Sequence, residues 1–405
     1  MVRMAHGTEY RVSRRGLVIA EPSGQTVLFE HPRAAQLPQF LSDDPTPADL
    51  AIRLGPPLDA TVVSDLVELG ILVTDDTRRS TDDAPRSRAV QWTRSGLMIP
   101  GIAAPARVLN RVLTPFVNSI AGKATLAAIM VAGVLSLLAG RPDVPPVSTQ
   151  PALEVALMLA LGLAATIAHE LAHAVVLVHY GCPPRRAGFG FYWGAVSFFV
   201  DSTPALTLPR RARVIQALAG LAVDAVTVCV LAIAAQLAES PIWAIVCWRL
   251  AILLLVEIGI NLAPVLQVDG HWALADWLDE PDLAPRARRA LGAALRGRPL
   301  GGQRGLAVYG AASLAAGLAL LSAMAATYWA TTADLIIALF SGNPFDIVLG
   351  LYYVAPIALG LFLSMAGLIV EPILGAAQAT STPRRQQTRA QKNEEVCDDI
   401  SEITR

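Results

Sequence analysis

Apolar residues along the chain follow two regimes. As far as Asp76 they fall in short runs separated by turn residues, and from about residue 124 they lengthen into runs that match the thickness of a bilayer. In the first regime Leu17–Ala20 and Thr26–Phe29 are β-prone and flank Pro22-Ser23-Gly24, which predicts a hairpin. A helix is expected over Pro32–Leu41. The next starts at Thr46, with Pro47 in its first position and Asp49 three residues after the cap, the residue order of an N-terminal capping box. A third is expected over Asp59–Glu68, where Val62, Val63, Leu66, Val67 and Leu69 make one stripe. Gly70 ends it and Ile71–Thr74 returns as a strand. Residues 1–76 thus read as a small winged-helix-like α+β domain whose core is too small to stand without support.

Residues 77–92 are polar and rich in Arg, Asp and Ser, the composition of a linker. Beyond them Val108, Leu109, Val112, Leu113, Phe116, Val117 and Ile120 share one helical face. Arg107, Asn110, Arg111, Thr114 and Asn118 take the other. That pattern predicts a helix lying in the membrane interface; a helix packed on the soluble domain is the alternative. Linker and helix together span 77–123. Six runs then predict transmembrane helices: Ala124–Gly140, Val155–Val178, Val214–Ala238, Ile242–Leu266, Leu306–Trp329 and Ile347–Val370. Residues 124–370 therefore read as a polytopic α-helical membrane domain, and 371–405 as a polar, disordered tail.

Composition agrees. The chain has 405 residues, 54% of them hydrophobic and 16% charged, against about 25% charged in soluble proteins. Net charge is -1 and no helix expected within residues 1–76 is clearly basic, which argues against a nucleic-acid partner. Cys182, Cys229, Cys247 and Cys397 form no CxxC pair, so neither a disulfide scaffold nor a thiolate metal site is expected. Met1–Arg15 lacks the apolar core of a signal peptide. Arg185, Arg186, Arg210, Arg211 and Arg213 follow the second span, and six arginines lie between Arg286 and Arg304; the opposite loops hold only Arg141. The arginine bias predicts a multi-pass protein of the cell membrane with both termini in the cytoplasm.

The chemistry lies where charge interrupts the spans. His169-Glu170-Leu171-Ala172-His173 puts two imidazoles one helical turn apart on one face, able to grip a Zn²⁺, with Glu170 beside them as general base. Ionisable groups in hydrocarbon are costly unless paired, metal-bound or hydrated. A catalytic zinc takes three protein ligands, so a third must come from elsewhere. At the inner end of the fourth span, Asn261 through His271 includes Pro264, which breaks the helix, and Asp269, the expected third ligand. His271 is the rival ligand. Gly270 would let backbone approach the metal, and Asn261 would bond freed carbonyls or an incoming peptide. Glu257 is expected either to pair across the bundle or to line a polar access route, with no assigned step in the chemistry, whereas Arg249 is expected to reach outward to headgroups.

These motifs, His169-Glu170-Leu171-Ala172-His173 with Asn261, Pro264, Asp269 and Gly270, resemble the site-2 protease family of intramembrane zinc metalloproteases over roughly Ala124–Asp282. The resemblance implies hydrolysis of a peptide bond. Family members often carry Gly-Pro-x-x-Asn on the intervening span; here Gly220-Leu221-Ala222-Val223-Asp224 departs from it, leaving Asp224 either a site role or a bundle role. The aromatic run Gly188–Val200 predicts a hairpin able to pair with an extended peptide. The hairpin-then-helices order of Leu17–Thr74 resembles the PqqD-like domain that recognises leaders of ribosomally made precursor peptides. Together these imply maturation of such a peptide, alongside peptide-modifying enzymes. Cleavage of single-span signalling proteins is one alternative, and a non-proteolytic export or immunity role is another.

Overall fold

The structure, a computed structural model, describes residues 1–5, 8–13, 16–20, 26–29, 33–55, 63–64, 66–67, 71–74, 91–93, 96–145, 149–184, 186–192, 195–280 and 283–378. The turn Pro22-Ser23-Gly24, linker residues 77–90 and the tail beyond 378 lie outside them. So does most of the third expected helix, of which Val63, Ser64, Leu66 and Val67 are described and helical.

The N-terminal region opens with β1 (Val2–Met4), β2 (Glu9–Ser13), β3 (Gly16–Ala20) and β4 (Thr26–Phe29). Strands β2, β3 and β4 form an antiparallel meander, so the expected hairpin has a third strand on its N-terminal side. The short α1 (Leu37–Phe40) lies between two 3₁₀ turns, and α2 (Pro47–Leu54) follows. The capping box at its start is present: Thr46 Oγ1 accepts from the Asp49 N–H at 3.2 Å, and an Asp49 carboxylate oxygen accepts from the Thr46 N–H at 3.2 Å. The Thr46 hydroxyl, donating to the same carboxylate at 2.6 Å, and then the Thr46 N–H hold the Asp49 carboxyl below its ordinary pKa. β5 (Leu72–Thr74) pairs antiparallel with β1, joining the two ends of the region.

Alternation along β3 sends Leu17 and Ile19 into a core with Leu37, Leu50, Leu54 and Ile71. Each such side chain contributes about 1.5–3 kcal/mol on burial. Val18 points the other way and is also buried, because β3 meets the turn Thr203–Thr207 of the membrane part. Beside it Arg11 of β2 reaches Asp279 at 2.9 Å and Asp276 at 3.4 Å. The region is thereby tied to the helix bundle.

Two strands that sequence patterning does not assign, β6 (Gln91–Thr93) and β7 (Gly96–Pro100), precede the bundle. Next come α3 (Ala103–Asn118), α4 (Ile120–Ala139) and α5 (Pro151–His179). Ser119 ends α3 in an extended conformation and caps α4 by accepting from the Gly122 N–H at 2.9 Å. The first span therefore begins at Ile120, ahead of the expected Ala124. On α3, Val108, Val112, Phe116 and Val117 are exposed, as is Ile120 at the junction with α4; that apolar face is not packed into the soluble region.

Strands β8 (Arg186–Tyr192) and β9 (Ala195–Val200) follow α5 and make the expected hairpin. β7 pairs with β8, giving a four-stranded antiparallel sheet in the order β6-β7-β8-β9, with β9 at an edge. The remaining helices are α6 (Arg210–Ala217), α7 (Ala219–Leu237), α8 (Pro241–Leu262), α9 (Asp269–Leu278), α10 (Leu283–Leu295), α11 (Arg304–Phe340) and α12 (Pro344–Gln378).

Among the described residues six helical segments are long and apolar enough to cross a membrane: Ile120–Ala139, Pro151–His179, Arg210–Leu237, Pro241–Leu262, Arg304–Phe340 and Pro344–Leu368. Pro264 ends the fourth earlier than the expected Leu266, and the fifth continues past Trp329 to Phe340. Within the bundle α7 packs against α4, α5 and α8, and α11 pairs with α12. A Cβ on Gly133 would lie 2.2 Å from that of Cys229. Such small residues set the approach of α4 to α7, as in helix packing within lipid generally.

Arg249 does not reach outward as its place in the sequence suggests. It is 2% exposed and pairs with Glu154, which is 0% exposed, and its Nε donates to the Thr331 carbonyl at 2.9 Å. Helix α5 starts at Pro151, so Glu154 lies in its first turn. A span begun at Val155 leaves that carboxylate out.

Candidate metal centre

The HExxH segment occupies the C-terminal half of α5, and Asp269 opens α9 after the break at Pro264. The fold brings these two places together. His169 Nε2 and His173 Nε2 are 3.2 Å apart, and Asp269 Oδ2 lies 3.0 Å from the first and 3.6 Å from the second. His169, His173 and Asp269 form a group able to coordinate a metal ion. His271, the rival ligand, is not in that group. It is buried and bonds the Pro264 carbonyl, and burial lowers its pKa.

The ring tautomers support a cation between these atoms. His169 Nδ1 is 2.7 Å from Asp224 Oδ2, and His173 Nδ1 is 2.6 Å from the Gln216 carbonyl oxygen. A carbonyl only accepts, and so does an ionised carboxylate, so each Nδ1 carries the proton. In neutral rings both Nε2 atoms then present lone pairs to the same small space. Asp269 Oδ2 adds a carboxylate oxygen at the same point, 3.0 and 3.6 Å from the two nitrogens. Two lone pairs and an anion at this range repel unless a cation or protons lie among them. A small tetrahedral ion with bonds of about 2.0–2.1 Å needs ligand atoms about 3.3 Å apart, and the three separations here bracket that value.

Neighbouring residues fix this geometry. Asp224 on α7 orients His169 through Nδ1, the usual arrangement behind a metal-binding imidazole. Gly220, one turn earlier, is where a Cβ would come within 2.3 Å of His169 Nε2. Its lack of a side chain makes room for the ring. Gly270 has a different role from close approach to a metal: a Cβ there would lie 2.2 Å from the Leu262 carbonyl oxygen and 2.7 Å from that of Asn261. It lets the start of α9 fold against the end of α8. The Pro264 carbonyl accepts from the Tyr309 hydroxyl at 2.5 Å, so the broken helix is satisfied from α11. Sequence reasoning missed Gln216 and Tyr309, which act through contacts far along the chain. The proximity of Gly220 to the Asp224 position was the one local signal for a ring seat.

A cavity of about 610 Å³ opens on this group, with His169, Glu170, Asp224, Glu257, Asn261 and Asp269 among its walls. Glu170 Oε2 accepts from the Val200 N–H at 3.0 Å, so the carboxylate next to the histidines is also tied to the edge strand β9. Phe198 and Phe199 of the same strand face the cavity.

The chain is thus a polytopic membrane protein with a His/His/Asp group at its membrane helices and a small N-terminal region of strands and helices, an arrangement compatible with intramembrane metalloproteases in general. No family model, curated protein or solved structure matches it, so any activity must be argued from these residues.

Proposed function

We propose that this protein is a membrane-embedded zinc endopeptidase. His169, His173 and Asp269 would hold the ion. When bound, zinc supplies Lewis-acid polarisation of water and of the scissile carbonyl. The observation that carries the reading is the position of Glu170: it adjoins both imidazoles, faces the cavity and is bonded to β9. Glu170 takes a proton from the attacking water and returns it to the leaving amine, the double duty of a general base in this setting.

The strand has a part in binding. Asp201 N–H donates to the Arg186 carbonyl, and Val200 N–H turns the other way to Glu170. Alternation then directs the backbone polar groups of Phe198 and Val196 to the side of β9 away from β8. An extended peptide added along that edge would bring its carbonyls past Glu170. A helical substrate would have to unwind to do so, which exposes the bond to be cut.

For the substrate we favour a ribosomally made precursor peptide, with residues 1–76 as the leader-recognition element and peptide-modifying enzymes as partners. This reading is supported by the resemblance of the N-terminal region to PqqD-like domains and by its attachment through Arg11 to the helix that bears Asp269. Both termini would face the cytoplasm, as the arginine bias indicates, with 77–123 as linker and interfacial helix. The exposed apolar face of α3 suits such a place.

Co-expression of the full chain with short peptides encoded beside its gene tests the proposal by product mass. Wild type should release a defined fragment, and Glu170→Gln should cut turnover about 10²–10⁴-fold while its metal content stays the same. Equal processing by both proteins would refute it. Cleavage of a single-span regulator in place of any peptide would keep the chemistry and change the substrate.

A further inference from the structure

The chemistry above leaves one carboxylate of the cavity unused. Glu257 lies on α8 between Leu254 and Asn261, and all three line the cavity of the metal centre. The spacing puts them on one helical face, whereas Leu255 and Leu262 on another are exposed at the outside of the bundle. Glu257 sits about 6 Å along the axis from Asn261, away from the Pro264 break. Just beyond it Ala165, Val228, Leu250 and Leu254 pack into an apolar cluster that closes the bundle. Glu257 therefore presents its carboxylate to the open cavity, beside walls that include the apolar Leu254 and Ala165.

The other acids in the core of the bundle are engaged. Glu154 meets Arg249, Glu170 the Val200 N–H, Asp224 the His169 ring, and Asp269 both imidazoles. Among the described residues the Glu257 side chain has neither a hydrogen bond nor an ion pair. Among the described residues no Lys or Arg lines the cavity to neutralise it. A carboxylate at membrane depth with no partner is costly unless it takes up a proton or a ligand supplies the countercharge.

We infer that Glu257 forms a subsite for a Lys or Arg side chain of the peptide substrate close to the bond that is cut. This rests on the endopeptidase reading and adds a specificity to it. The aliphatic stem of such a side chain would lie against Leu254 and Ala165, and its cationic head would meet the carboxylate, the division that long basic side chains make between apolar and polar surroundings. A norleucine side chain would fill the same space and leave Glu257 without a partner. An acidic one would add a like charge to a pocket already negative.

The test uses the full chain in proteoliposomes and quenched fluorescent peptides carrying Lys, norleucine or Glu at each position around the cut. At one position kcat/KM should favour Lys over norleucine by at least about tenfold, equivalent to about 1.4 kcal/mol, with Glu slowest. Glu257→Gln should abolish that difference, chiefly by raising KM for the Lys peptide, and Glu257→Asp should keep it. Glu257→Lys should invert the order in favour of Glu. Unchanged metal content in each variant establishes that the centre is intact. Cleavage indifferent to charge at every position, or the same preference in wild type and Glu257→Gln, would overturn the subsite and leave the endopeptidase standing. No cleavage of any peptide by wild type above the Glu170→Gln blank would overturn both.

Discussion

Glu154 with Arg249, and His169 with His173 and Asp269, are two sets of ionisable side chains carried into the same bundle, and they differ in how they are closed. The first pair is shut inside protein: α5 supplies the anion, α8 the cation and α11 a backbone carbonyl for the guanidinium, and neither side chain is more than 3% exposed. Apolar side chains of the same helices, among them Val155, Met158 and Val246, form a buried cluster of their own. The second set opens on a cavity, and its ligand atoms turn towards one another. Burial of charge in a membrane helix is thus an incomplete sign of chemistry. A set whose charges cancel within the protein holds helices in register; one that leaves lone pairs converging on a space leaves room for an ion.

Removing one member of each set should separate the two. Arg249→Met alone leaves Glu154 buried without its cation and should cost about 3–5 kcal/mol, read from unfolding in detergent. Arg249→Met combined with Glu154→Leu should recover most of that loss. In both variants the metal content per folded chain should be that of wild type; loss of the metal would mean the pair is part of the centre. Asp224→Asn should act in the opposite way. It exchanges the anionic acceptor that orients His169 for a neutral amide and should weaken metal binding about 10–100-fold in competition with a chelator, with little change in unfolding. A smaller effect is expected in the N-terminal region, where Thr46→Ala should cost about 1 kcal/mol and leave the metal untouched. The Asp49 carboxyl is held below its ordinary pKa by Thr46. Its contribution to stability is therefore present above the ordinary carboxylate value and fades as pH falls through the lowered one, measurable as protection of α2 amides from exchange.

What could be read from sequence was local or strongly periodic. The six membrane-length helices declared themselves by apolar length, and the start of α2 by the order Thr46, Pro47, Asp49. The HExxH spacing put His169 and His173 on one face because helical geometry leaves no choice. Contacts across the fold were less visible. Strands β6 and β7 are short and become a sheet only by pairing with β8, some ninety residues later. Glu154 was hidden by a span that seemed to start at Val155, although Pro151 marks the true first turn. The roles of Gln216 and Gly220 depend on where α6 and α7 pass α5, which no pattern along the chain records. Asp224 was ambiguous for a related reason: a lone carboxylate in a span is compatible with a bundle contact until a ring nitrogen is found 2.7 Å away.

The central claim is that His169, His173 and Asp269 hold one metal ion, and X-ray absorption at the zinc edge on the purified full chain, with metal quantified per chain, addresses it most directly. One zinc per chain is expected, with only nitrogen and oxygen neighbours at about 2.0–2.2 Å, and His173→Ala or Asp269→Ala should lose it while staying folded. Sulfur neighbours at about 2.3 Å, or the same zinc content in those variants, would place the metal elsewhere and contradict the account.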